Sequence, residues 1–67
     1  MNEELFKLED SGYTLTVRKI SKRGAELLIT KSPNNEEVLK QDVSLPEAIP
    51  TADDIDRWTG IFKAVAR

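Results

Sequence analysis

Apolar and polar residues alternate along four stretches of the chain, residues 4–9, 13–20, 25–31 and 37–43, which are parted by the runs DSG, SKRG and SPNNE. Period-two alternation bounded by Gly, Pro, Asn and Ser predicts half-buried β-strands. The connections are too short for crossovers, so successive strands are expected to pair antiparallel as a meander. Ser11-Gly12 supplies a positive φ for the first turn. Pro33 presets φ in the third, where Asn34 or Asn35 tolerates the left-handed region. In the second turn, Ser21-Lys22-Arg23-Gly24 has the form of a type I turn with Gly24 as a left-handed bulge residue. That form pairs Ser21 with Ala25, Lys19 with Leu27 and Val17 with Ile29. One face then carries Phe6, Leu8, Tyr13, Leu15, Val17, Leu27 and Ile29 and is the predicted core side.

The period changes after SLPEAIP, whose two prolines hold an extended crossover that joins no ladder. Thr51 is a good N-cap, Asp53 and Asp54 suit the positive end of a helix dipole, and Asp54 completes a weak capping box. Ile55, Trp58, Phe62 and Val65 follow as one stripe, widened by Ile61 and Ala66, which predicts a helix over residues 52–66 lying on the core face. Arg67 suits its carbonyl end. Gly60 falls on the solvent side, where it costs up to ~1 kcal/mol relative to alanine and nothing local requires it. The expected fold is α+β: a four-stranded antiparallel meander with one C-terminal helix packed on one face, ββββα, as a single small domain.

At 67 residues such a domain buries only about 60% of its unfolded surface, so its stability margin is thin. The sequence has neither cysteine nor histidine. Disulfides, zinc sites with thiolate or imidazole ligands, thiol nucleophiles and histidine acid–base schemes are therefore excluded. Asp53, Asp54 and Asp56 are dispersed around the helix and explained by capping, the serines lack a base, and no glycine-rich phosphate loop is present. The expectation is a protein that is not an enzyme, with no cofactor and no metal. The acidic start lacks an apolar core segment and no run reaches membrane-spanning length, so a soluble, cytoplasmic protein is expected.

Charge changes the picture more than composition. The net charge is -2, yet residues 13–32 hold five basic groups against one acidic, between acidic flanks. VRKISKRG concentrates Arg18, Lys19, Lys22 and Arg23. As a phosphate grip these four would give a log–log salt slope of about -3.6, with Lys31 as a neighbour. Opposing that, Glu4 is expected across from Lys19, and Glu26 across from Ile20 and diagonal to Arg18, which would lower the local potential. Phe6, Tyr13, Trp58 and Phe62 are all assigned to the core, leaving no aromatic platform for base stacking.

One helix covers one face of the sheet. The uncovered face is expected to gather Leu5, Ile20, Leu28 and Val38 among threonines and charges, enough for an interaction patch if they cluster. The preferred expectation is a non-enzymatic protein-binding module (adaptor, inhibitor or self-associating subunit) using Leu5, Arg18, Ile20, Lys22, Arg23, Leu28 and Val38. Its partner would be another protein or a second copy of the chain. The alternative is a nucleic-acid-binding accessory protein using Arg18, Lys19, Lys22 and Arg23.

Overall fold

A computed structural model describes residues 3–66. Strands β1 (Glu3–Asp10), β2 (Tyr13–Ser21), β3 (Gly24–Lys31) and β4 (Glu36–Ser44) precede one helix, α1 (Ala52–Val65). The strands form one sheet in the order β1-β2-β3-β4, each neighbour antiparallel. The ββββα meander expected from the hydrophobic pattern is the observed architecture. Ala66 caps the helix by donating its N–H to the Phe62 carbonyl at 2.8 Å; Arg67 lies outside the described residues.

Local chemistry sets the turns. Asp10 pairs with Tyr13 across Ser11 (φ 54°) and Gly12 (φ 83°), and two successive positive φ angles match the right-handed twist of the flanking strands. The β3–β4 turn contains a cis Ser32–Pro33 peptide and Asn35 at φ 53°. The β2–β3 turn departs from expectation. Gly24 is not left-handed, Gly12 being the positive-φ glycine; Ser21 pairs directly with Gly24, and the extra residue is Ile20 on β2. Val17 therefore opposes Leu27, and Leu15 opposes Ile29, a slip of two residues from the expected pairing. Because side chains repeat every two residues, the slip leaves each on its expected face.

Two further bulges place one extra residue each, Leu5 in β1 and Val38 in β4. A bulge interrupts alternation. Leu5, expected on the uncovered face, instead packs with Phe6 against the core. The same bulge sets Glu4 opposite Arg18 and Glu3 opposite Lys19, correcting the expected Glu4–Lys19 pair. Glu26 likewise lies opposite Arg18, not Ile20.

Leu15, Val17, Ala25, Leu27 and Ile29 from the central strands meet Trp58 and Phe62 from α1, with Ile55, Ile61, Val65 and Ala66 around them. Leu45, from the crossover, is also fully buried and is a core residue that strand and helix periodicity did not identify. Trp58 lies against Phe6 with ring centroids 6.1 Å apart. Its indole N–H is buried without a partner, a desolvation cost of about 1–3 kcal/mol.

The helix start is fixed by a reciprocal capping box. The Asp54 N–H donates to Thr51 Oγ1 at 3.2 Å, and the Thr51 N–H donates to Asp54 Oδ2 at 3.0 Å. Asp54 is buried and also accepts from the Arg57 guanidinium. The Thr51 backbone N–H holds the Asp54 carboxyl below its ordinary range, opposed by desolvation and aided by the Thr51 hydroxyl and Arg57.

Two outcomes follow. A depressed carboxylate contributes stability that is complete above its unfolded value and lost as pH falls through its folded one. Asp54→Asn should thus lower the thermal midpoint at neutral pH, with the gap from wild type closing below about pH 4; a gap constant with pH would contradict this. Gly60 is exposed, and a Cβ there would meet nothing within 4 Å. Gly60→Ala should stabilise by up to ~1 kcal/mol, raising the thermal midpoint by at most about 4–8 °C.

Candidate functional site

The crossover and the β2–β3 hairpin meet at one end of the sheet. Leu45 must enter the core directly after β4, and its N–H donates to the Arg23 carbonyl at 2.9 Å. The chain then turns back, the Ala48 N–H donating to the Leu45 carbonyl at 2.9 Å, and Lys19 Nζ donates to the Ala48 carbonyl at 2.8 Å. Ala48 sits at φ 64°, a left-handed conformation costing an L-residue with a Cβ roughly 1 kcal/mol or more. The segment is thus fixed by two backbone hydrogen bonds, a lysine and the flanking Pro46 and Pro50.

It displays Ile49, 63% exposed, the most exposed large apolar residue described. At the same end of the sheet, the bulge residue Ile20 is 46% exposed, and Lys22 and Arg23 project from the hairpin tip into solvent. Ile49 was missed in the sequence because it belongs to neither the strand alternation nor the helix stripe. Its signal was an isolated large aliphatic between two prolines.

The four basic residues of VRKISKRG part company here. Arg18 lies on the uncovered face between Glu4 and Glu26 on the neighbouring strands. Lys19 faces the core side and locks the crossover. Lys22 and Arg23 alone of the four are both outward and without an acidic residue directly opposite. Lys31 is not their neighbour: it closes the other end of the hairpin opposite Tyr13, its Nζ 5.6 Å from the ring centroid.

Nor do Leu5, Ile20, Leu28 and Val38 form one patch. Leu5 packs on the core, Val38 (43% exposed) lies at the end bearing the β3–β4 turn, and Ile20 lies at the opposite end. Only Leu28 sits mid-face, half-buried between Thr16 and Lys40. Three rows cross the uncovered face: Glu9-Thr14-Thr30-Glu37, Lys7-Thr16-Leu28-Lys40 and Glu4-Arg18-Glu26-Asp42. Ion pairs Lys7–Glu9 (3.5 Å) and Lys40–Glu26 (3.6 Å) stitch adjacent rows. This face is a banded polar surface with a single aliphatic at its centre.

A shallow, open depression at the far end is lined by Glu9, Asp10, Tyr13 and Ser32. Among the described residues, no group of three or more Asp or Glu is placed to hold a metal ion. No helix there is long and apolar enough to cross a membrane.

If Lys19 fixes the crossover, Lys19→Met should speed amide exchange at Ala48 selectively while leaving the sheet amides protected. Ala48→Gly should raise stability by up to ~1 kcal/mol, since glycine adopts the left-handed region without penalty; a loss of stability would show Ala48 to be unstrained. Comparison of this chain with models of protein families, with curated proteins and with solved structures finds no match, so the functional reading rests on the geometry of this end.

Proposed function

We propose that the protein is a non-enzymatic, cytoplasmic protein-binding module whose contact surface is the end built from the β2–β3 hairpin and the crossover. The observation that carries this reading is Ile49: a large aliphatic, 63% exposed, held on a strained segment by Lys19 and the Leu45 turn. A single exposed isoleucine on a mobile loop is ordinary. One that is fixed beforehand loses little freedom on docking, which is what raises affinity for a given contact area. Ile20 widens the apolar contact, and Lys22 and Arg23 border it. The complementary partner is a protein surface with an apolar pocket and carboxylates at its edge, a pattern in which rim charges guide encounter and the apolar anchor sets lifetime.

Nucleic acid suits this end less well. Two outward cations correspond to a salt slope of only about -1.8, and the aromatic residues Phe6, Tyr13, Trp58 and Phe62 belong to the core or pack against it.

The test uses the intact chain as bait, identifies the captured protein, and titrates it after purification. Ile49→Asp and Ile20→Asp should each weaken binding roughly tenfold or more, as truncation of a buried anchor does, with thermal midpoints unchanged. Equal affinity in both variants would overturn the proposal, as would retention of DNA or RNA at low salt that Lys22→Glu with Arg23→Glu abolishes.

A further inference from the structure

Strand β4 is an outer edge of the sheet. Trp58 packs toward Phe6 on β1, and on the far side of the sheet the helix leaves β4 incompletely covered. Gln41, opposite buried Leu27 and hence on the helix side, is exposed, while Leu39 and Val43 on that same side are only half-buried. An edge strand also presents unpaired N–H and C=O groups to any strand that can lie beside it. The bulge at Val38 interrupts one end of β4, but Leu39 to Ser44 runs on in unbroken register against β3.

The outer side of the same strand contains an unresolved conflict. Asp42 lies directly opposite Glu26, and like charges in that position repel. Lys40 reaches Glu26 at 3.6 Å, but among the described residues no cation pairs with Asp42.

We propose that β4 pairs antiparallel with β4 of a second copy, about a two-fold axis through Gln41. That register is self-complementary on both sides of the sheet. On the helix side, Leu39 of each chain meets Val43 of the other. On the outer side, Lys40 of each chain meets Asp42 of the other, supplying the cation that Asp42 lacks. Gln41 meets its own copy on the axis. The contact is isologous and closes at two chains, giving an eight-stranded sheet with both helices on one side. Edge β1 has no equivalent register. Centring it on Leu8 brings Lys7 opposite Glu9 but sets Phe6 against Asp10, and Lys7 and Glu9 are already paired within the chain at 3.5 Å.

The experiment is sedimentation equilibrium on the whole chain, from roughly 10 μM to 1 mM, a range suited to a short edge contact. Wild type should move from the 7.6 kDa of one chain toward twice that mass. K40D sets acid against Asp42 and D42K sets base against Lys40. Each should raise the dissociation constant roughly tenfold or more. D42K also places a cation opposite Glu26, so its thermal midpoint should not fall, which separates lost association from lost folding. Mixed in equal amounts, K40D and D42K should restore the dimer, because every outer pair is then of opposite sign. Wild type remaining at single-chain mass at the highest concentration, variants associating as wild type does, or a mixture that stays monomeric would each overturn the proposal.

Discussion

The burial of Trp58 is the contact on which the rest of this small structure depends. A chain of 67 residues has few ways to remove apolar surface from water, and a sheet of four strands with one helix has a single interface in which to do so. Trp58 and Phe62, one turn apart, fill that interface over Leu15, Val17, Leu27 and Ile29. Phe6 draws the helix toward β1 through its contact with Trp58. Two consequences follow from where the helix then lies. The helix side of β4 is left half-open, and the chain leaving β4 must travel from that edge across the hairpin end to reach Thr51. The crossover is short, so it is pressed against the β2–β3 turn. The buried Leu45, the left-handed Ala48 and the outward Ile49 are products of that constraint.

The electrostatic pattern is subordinate to the same geometry. Register, not the charge total, decides which groups meet, and in most places it places opposite signs within reach: Arg18 between Glu4 and Glu26, Lys40 near Glu26, Lys7 near Glu9. These exposed pairs contribute little individually. Their effect is to disperse what looks, in the linear sequence, like a concentrated basic segment. Asp54 differs because it is buried, and it is tolerated there because the Thr51 backbone N–H and the Arg57 guanidinium both donate to its carboxylate. Its role in starting the helix is what brings Trp58 to the sheet at the right turn.

How much of this was legible in the sequence depends on which periodicity carried the information. The core face was legible because alternation has period two, so a register wrong by two residues, as at Val17 and Leu27, still places each side chain on the correct side. The helix and its cap were legible because Thr51 and Asp54 act through local spacing alone. The bulges at Leu5, Ile20 and Val38 were not, since a bulge is a relation between two strands and leaves no mark in either one. The bulge at Leu5 removed one member of the predicted aliphatic patch by turning it onto the core, while Ile20 and Val38 are apart because the meander sets the end of β2 and the start of β4 at opposite ends of the sheet. Lys22 and Arg23 were correctly read as the hairpin tip because turn chemistry is local. Ile49 and Leu45 lie in an aperiodic segment, where no pattern distinguishes the residue that enters the core from the one that faces water.

Three local rules are broken in a fold with little stability to spare, and they differ in what compensates them. The left-handed Ala48 is compensated on the spot: its N–H and its carbonyl are both satisfied, and the strain is the condition for presenting Ile49 in one orientation. The opposition of Glu26 and Asp42 is only partly offset among the described residues, by Lys40 near Glu26. The indole N–H of Trp58 is a different case. Among the described residues no group hydrogen-bonds to it, and replacing the side chain would sacrifice the ring area that anchors the helix. Here the apolar gain of a large aromatic outweighs an unmade hydrogen bond, and a strained loop, an unbalanced edge and an orphan donor therefore have three separate physical causes.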